Sequence, residues 1–214
     1  MPTYQPAVAT TPHRNRDRVG YDRATVHAIL DEAWFCHLAF VVDGRPASLP
    51  LMHARLGEDI YVHGSTGSGP LLAARQDGGM PVCLNVALLD GLVYARSHFH
   101  HSANYRAVVA HGMAEVVTDP AEKARALSAF VEKLGAGRAA DSRPPSERES
   151  AQTGLLRLRL DQVSCKIRSG GVNDDPDDHG LPHWAGVVPM QLVAGTPTPD
   201  VNVVGSPPEY LPRR

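Results

Sequence analysis

Two Asp-Gly pairs, each standing between runs of alternating apolar and polar residues, constrain this chain more than any other feature. The pairs are Asp43-Gly44 and Asp90-Gly91. The runs that flank them are 38–42, 47–56, 82–88 and 92–97. Asp-Gly is a preferred pair in two-residue hairpin turns, and alternation is typical of strands with one buried face. The sequence therefore predicts two β-hairpins.

Further strands and a small number of helices follow from the same patterns. Strands are predicted at 60–63, 105–117 and 156–166, and helices after the capping residues Asp22, Asp119 and Ser146. About six antiparallel strands with two or three helices must close on themselves to cover their edges. We therefore predict a mainly β (α+β) fold, a small Greek-key antiparallel barrel with peripheral helices.

The two ends of the chain differ from its centre in composition. Residues 1–16 and 201–214 are rich in proline and carry no hydrophobic periodicity. We predict a flexible N-terminal arm at 1–16, one domain at 17–200 and a flexible C-terminal tail at 201–214. Removal of residues 1–12 and 205–214 is expected to leave folding intact.

Charge and hydropathy exclude several classes of partner. The formal net charge is −2 and no long basic block occurs, so we expect no nucleic-acid partner. No apolar run approaches the roughly 18 residues of a membrane span, so we expect no membrane partner. Three widely spaced cysteines fit a reducing compartment. The sequence predicts a cytoplasmic protein.

A loop of small residues is the first candidate for chemistry. Residues 61–69 read Tyr-Val-His-Gly-Ser-Thr-Gly-Ser-Gly. Glycines and hydroxyl side chains after a strand can direct backbone N–H groups at a phosphate. Taken alone, the segment fits a flexible surface turn better, because it contains no established nucleotide motif.

A polar cluster at 95–106 is the second candidate. Its two arginines, Arg96 and Arg106, suit a phosphate, because guanidinium groups bind phosphate oxygens in pairs. The neighbouring histidines are His98, His100 and His101. On a strand His98 and His100 would share a face, without a cysteine or carboxylate at ligand spacing, so a structural or cofactor-contacting role is favoured over a metal site. The acidic run at 174–178 is interpreted as a solvated loop.

Seven segments together resemble a known family. They are 18–22, 44–50, 61–65, 90–97, 102–106, 164–168 and 182–187. Their order and spacing are similar to the flavin-nucleotide-binding branch of the pyridoxamine 5′-phosphate oxidase-like superfamily, which includes the nitroimidazole-resistance proteins. The resemblance covers about residues 18–200.

The resemblance implies a split β-barrel homodimer with two FMN sites at the subunit interface. The implied cofactor-binding residues are Pro50, Leu51, Met52, His63, Gly64, Ser65, Ser68, Arg96, Ser97, Asn104, Tyr105, Arg106, Lys166 and Trp184. Arg106 is expected to be the main guanidinium contact to the phosphate. Two departures weaken phosphate anchoring, since Gly69-Pro70 and Ala107 stand where many relatives have a basic residue and a serine.

The leading functional hypothesis is an FMN-dependent oxidoreductase that uses a small-molecule substrate and an electron donor. No residue demands an acid or base role, although His63 and Tyr105 are available for one. One alternative is a haem protein on the same barrel, with an axial nitrogen from His63 or the histidine cluster at 98–101. Another is a non-catalytic flavin-binding module. FAD or a deazaflavin could replace FMN.

Overall fold

The structure of the protein, a computed structural model, describes residues 2–14, 16–76 and 78–212. The chain forms two compact units, each made of three segments. Unit 1 comprises Met1–Pro50, Val82–Gly112 and Leu160–Gln191, and unit 2 comprises Leu51–Pro81, Met113–Arg159 and Leu192–Arg214. The predicted boundaries after residues 16 and 200 stay predictions.

Strands dominate the described part of the chain, which contains nine strands and four α-helices. The helices are α1 (Arg23–Glu32), α2 (Gly69–Gln76), α3 (Pro120–Leu134) and α4 (Glu147–Gln152). The strands are β1 (Val19–Gly20), β2 (Phe35–Val42), β3 (Arg45–Leu56), β4 (Asp59–Ser65), β5 (Met80–Tyr94), β6 (Ser102–Val116), β7 (Thr153–Arg159), β8 (Gln162–Arg168) and β9 (Gly186–Pro189). No helix in the described ranges has the length and apolar character that a membrane crossing requires.

Unit 1 contains α1 and two strand groups, in the orders β1-β8-β6 and β2-β5-β9. Helix α1 begins where predicted, because the Asp22 carboxylate accepts a hydrogen bond from the Thr25 backbone N–H at 2.8 Å. The first predicted hairpin is confirmed. Asp43 and Gly44 both have positive φ, at 50° and 70°, as the favoured two-residue hairpin turn requires.

Unit 2 contains the antiparallel strand order β6-β7-β4-β3 and helix α3. Asp119 caps α3 as predicted, accepting from the backbone N–H groups of Ala121 and Glu122. Ala126 and Phe130 of this helix are buried in one apolar cluster with residues of β3, β4 and β7. The helix is therefore held by its apolar face, and Phe130 and Leu127 of that face also line a surface cleft.

The second predicted hairpin is wrong. Strand β5 runs without a turn through Asp90-Gly91, and Gly91 lies opposite Pro189 of β9. A side-chain carbon on Gly91 would lie 3.2 Å from the backbone oxygen of Val188. The glycine therefore allows β9 to approach closely, and the partner strand keeps the segment extended.

Three further differences arise from partners that are distant in sequence. The strand predicted at 156–166 is two strands, because β7 pairs with β4 in unit 2 and β8 pairs with β6 in unit 1. Helix α2 begins at Gly69, the last residue of the stretch interpreted as a surface turn, and was not predicted. The short strands β1 and β9 have no recognisable pattern of their own and depend on β8 and β5.

Both predicted arms make specific contacts. Tyr4 and Thr10 are buried within unit 1. In unit 2 the Tyr210 ring packs on Gly135, and its hydroxyl accepts a hydrogen bond from Arg138. Such contacts are not expected of free arms, but whether removal of the arms leaves folding intact stays a prediction.

Candidate functional site

A cleft of about 480 Å³ lies beside α3 in unit 2. Its volume is within the range of small-molecule and cofactor sites. The apolar part of its lining includes Leu127, Phe130, Val131, Pro144 and Pro145. Its one imidazole belongs to His63 of β4. An imidazole nitrogen among apolar walls is the combination that holds a haem iron or a flat aromatic ligand.

The strand register presents His63 to the cleft. His63 lies opposite Leu155 of β7, and the preceding residue Val62 is buried on the other face of the sheet. The Phe130 ring meets the imidazole edge to face, with centroids 4.8 Å apart and planes at 89°. This contact orients the ring. His63 therefore faces α3, whereas the resemblance assigned it to a phosphate.

The loop after His63 leads directly into α2. The Ser68 backbone N–H donates to Ser65 O at 2.9 Å, and the Gly67 N–H donates to Ser65 Oγ at 3.3 Å. A side-chain carbon on Gly154, opposite Gly64, would lie 2.5 Å from Leu71 of α2. The glycines thus let α2 pack on the strand ends, and two loop amides are used within the turn. Phosphate binding by Gly64, Ser65 and Ser68 stays a prediction.

The residues predicted to lie along the flavin ring differ in their surroundings. Met52 is half-buried and packs against the apolar cluster of unit 2. Leu51, its neighbour on β3, is also half-buried, and Pro50 is exposed. A flavin contact from these three residues is untested.

In unit 1 the Arg96 guanidinium is held by a buried carboxylate. The Asp174 side chain is only 1% exposed and accepts from Arg96 Nη1 at 2.8 Å and from the Arg96 backbone N–H at 3.0 Å. Burial raises the pKa of Asp174, but these two hydrogen bonds outweigh it and hold the pKa below its ordinary value. Asp174 is thus a partner of Arg96 and not part of a solvated loop.

Arg106 is also paired within unit 1. Its Nε and Nη2 donate to the Asp90 carboxylate at 3.0 and 2.8 Å, and Nη2 donates to Glu32 at 2.8 Å. Its Nη1 also donates to Glu32. The hydrogen bonds from Arg106 lower the pKa of Glu32. Two carboxylates thus occupy the guanidinium that was expected to bind phosphate, and this arrangement speaks against that role.

The Arg168 side chain also has a partner within unit 1, whereas the Lys166 side chain has none among the described residues. Arg168 donates to the Asn104 side-chain oxygen, and the Asn104 amide nitrogen donates to Gly170 O at 3.0 Å. No hydrogen bond or ion pair from the Lys166 ammonium occurs within the described residues. Tyr105 precedes Arg106 on β6 and is half-buried. Lys166 is therefore the predicted site residue whose charge is available to an anion.

Aromatic residues gather beside the histidine cluster. Trp184 is 66% exposed, with its ring centroid 5.7 Å from that of Tyr94. His98–His100 form a turn of 3-10 helix in which the His100 N–H donates to Ser97 O, and not the strand on which His98 and His100 would share a face. The ring centroid of His101 lies 6.0 Å from that of Tyr94. The exposed faces of Tyr94 and Trp184 can receive a planar ring.

His100, Asp175 and Asp178 bring possible metal-ligand atoms within 4.8 Å of one another. His100 Nε2 and Asp175 Oδ2 are 3.1 Å apart, and the Asp175 side chain is mostly exposed. This grouping could not be predicted from the sequence, because 75 residues separate its two segments.

Comparison with known proteins supplies a family. Residues 22–167 match the family described as pyridoxamine 5′-phosphate oxidase. No curated protein sequence gives a match. The flavocytochrome Anf3 from Azotobacter vinelandii is 35% identical, with a TM-score of 0.89 over 98% of this chain and 97% of that one.

Two further solved structures are informative. The FAD and haem binding protein from Mycobacterium smegmatis is 34% identical, with a TM-score of 0.82 over 89% of this chain and 93% of that one. A candidate 5-nitroimidazole antibiotic resistance protein from Bacteroides thetaiotaomicron is 20% identical, with a TM-score of 0.59 over 70% of this chain and 86% of that one. At this identity the likeness shows the fold alone. The predicted split β-barrel with peripheral helices is confirmed.

Proposed function

The chain belongs to the pyridoxamine 5′-phosphate oxidase family, and from this premise we propose that it is an oxidoreductase that holds a flavin nucleotide and a haem. The observation that carries the proposal is the cleft beside α3, where the His63 imidazole stands among apolar side chains. Two solved proteins at 35% and 34% identity are described as a flavocytochrome and as an FAD and haem binding protein.

The residues of the cleft fit a haem. His63 would supply the nitrogen that holds the haem iron, and Leu127, Phe130 and Val131 would provide apolar contacts to the porphyrin. Phe130 fixes the plane of the imidazole, which reduces the entropy lost when its nitrogen binds a metal. When bound, the flavin supplies two-electron chemistry and the haem iron supplies one-electron chemistry. The chain's own contribution is to hold the ligand nitrogen and exclude water from the apolar walls.

The flavin is proposed to be FAD, whereas FMN is the expectation from the resemblance. A solved protein at 34% identity is described as an FAD and haem binding protein, and the two arginines expected to bind the phosphate of FMN, Arg96 and Arg106, are already paired with carboxylates. Lys166 offers one available charge, with Tyr94 and Trp184 as a platform for an aromatic ring. A small-molecule substrate, a separate electron donor and a cytoplasmic location stay predictions.

A homodimer is proposed through the outward face of unit 1. Phe35 and Val41 of β2 are 58% and 63% exposed and alternate with buried residues. On the same face, His37 pairs with Asn85 of β5. A mostly apolar sheet face of this kind is typical of a subunit interface. Val41→Glu should shift the mass measured by light scattering from dimer to monomer, and Val8→Glu, outside this face, should not. A monomeric wild-type protein would contradict the proposal.

Absorption spectroscopy and chromatography of the released cofactor test the two cofactors separately. The protein, supplied with hemin, should give a Soret band together with flavin absorption, and the released flavin should run as FAD. His63→Ala should lose the Soret band and keep the flavin. His13→Ala, an exposed histidine outside the cleft, should keep both. A wild-type protein without a Soret band, or a Soret band that survives His63→Ala, would overturn the haem assignment.

A further inference from the structure

One wall of the cleft is a loop and not a regular element. Residues 135–145, called here the cleft loop, follow α3 and provide Ala139, Ser142 and Pro144 to the lining. The loop carries no strand pairing. The side chains that hold the cleft loop determine its position. They therefore determine how close this wall lies to any occupant of the cleft.

The first support comes from the end of α3. The Glu132 carboxylate accepts the backbone N–H groups of Gly137 at 2.7 Å and Ala139 at 2.9 Å. These two hydrogen bonds hold the pKa of Glu132 below its ordinary value. The Arg138 N–H donates to Gly135 O at 2.9 Å. The near half of the loop is thus tied to the helix that precedes it.

The second support comes from a distant part of the sequence. The Tyr210 hydroxyl accepts from Arg138 Nη1 at 3.0 Å and donates to the Asp141 carboxylate. The Tyr210 ring lies so close to Gly135 that a side-chain carbon there would be 2.7 Å from Tyr210 Cδ2. One tyrosine therefore contacts three positions of the cleft loop with its ring and its hydroxyl.

We propose that Tyr210 clamps the cleft loop and so sets how firmly the cleft retains its haem. This inference rests on the proposed function. Tyr210 does not line the cleft and is a positioning residue, which acts through Arg138 and Asp141. Loss of the clamp frees the wall that carries Pro144, so the apolar contacts that retain a haem become intermittent.

Haem transfer to excess apomyoglobin measures retention, and hydrogen exchange of the cofactor-free protein measures the loop. Tyr210→Ala should speed haem loss at least about tenfold and speed exchange at residues 138–141. Tyr210→Phe keeps the ring on Gly135 and loses both hydrogen bonds of the hydroxyl, so it should speed haem loss roughly two- to tenfold, less than Tyr210→Ala does. The control Tyr21→Phe loses a hydroxyl that donates to Thr10 O in unit 1. It should change neither the rate of haem loss nor the exchange at residues 138–141.

The outcomes separate the two ideas. A wild-type protein that takes up no haem refutes the proposed function before any variant is made. A wild type that binds haem and a Tyr210→Ala protein that loses it at the same rate overturn the clamp. Faster loss without faster exchange at 138–141 also overturns it, because Tyr210 would then act by another route.

Discussion

Tyr4 anchors the beginning of the chain to unit 1, and its removal should destabilise the protein. Its side chain is 2% exposed. The Tyr4 hydroxyl lies 3.0 Å from His27 Nε2, and Arg23 stacks on the ring at 4.4 Å. The Tyr4 backbone N–H donates to Tyr21 O at 2.8 Å. A segment without hydrophobic periodicity therefore contributes one large buried side chain and a backbone bond.

The expected loss of stability follows from these contacts. Replacing a buried aromatic residue by alanine costs about 3–5 kcal/mol, since burial is lost and a cavity remains. Tyr4→Phe keeps the ring and the stacking and loses one hydrogen bond, which costs about 0.5–1.5 kcal/mol. Deletion of residues 2–12 should cost at least as much as Tyr4→Ala. This prediction is the opposite of the expectation from the sequence that removal of residues 1–12 leaves folding intact.

Urea unfolding of the three variants, at equal cofactor loading, measures these differences. Val8→Ala is the matched control, because Val8 belongs to the same segment and is 99% exposed. It should change the free energy of unfolding by no more than about 0.5 kcal/mol. A cost below about 1 kcal/mol for Tyr4→Ala would refute the reasoning, because Tyr4 would then be removed without loss of a packed contact.

Two titrations provide further predictions. Hydrogen bonds from Arg143 and Ser146 lower the pKa of Glu149 to about 2. The ionised Glu149 carboxylate should therefore stabilise the fold fully above pH 4.5, the ordinary pKa of a glutamate, and this stabilisation should be lost as the pH falls through about 2. An NMR titration measures this midpoint, which Ser146→Ala should raise. Burial and a hydrogen bond to Glu122 raise the pKa of Tyr61 to about 12. The protonated Tyr61 hydroxyl should therefore stabilise the fold fully below pH 10, and this stabilisation should be lost as the pH rises through about 12. Phenolate absorbance measures the midpoint. A midpoint near 10 would contradict the second prediction.

Local signals predicted three of the four helices in the described residues, because a capped helix start depends on a few adjacent residues. Asp22, Asp119 and Ser146 each cap the helix that follows. The two Asp-Gly pairs were not equally informative. Asp43-Gly44 turns the chain with positive φ at both residues, whereas Asp90-Gly91 stays extended because β9, about 100 residues later, pairs with it. The same dipeptide has two outcomes, and only the tertiary partner decides between them.

The candidate site was predictable in its residues more than in its arrangement. His63 was selected from the sequence, for a phosphate in the leading hypothesis and for a haem in the alternative. Its apolar surroundings come from α3 and from the cleft loop, which reach β4 only through the fold. The clamp of Tyr210 on Gly135 joins positions about 75 residues apart and leaves no local pattern. Resemblance to a family therefore identified the fold, and the structure identified which side chains face a common space.

The ion pairs of the arginines also join residues that are distant in sequence, and they bear on flavin binding. Arg106 and Glu32 are 74 residues apart, so a charge count cannot reveal that they form a pair. Since Arg106 is occupied, Lys166→Gln should weaken flavin binding about tenfold, or about 1.4 kcal/mol. Arg106→Gln should leave flavin affinity within about twofold and lower the free energy of unfolding by about 1 kcal/mol, because its partly exposed ion pairs are screened by solvent. Fluorescence titration of FAD and FMN into both apoproteins measures the difference. The opposite order of affinities would restore Arg106 as the phosphate ligand.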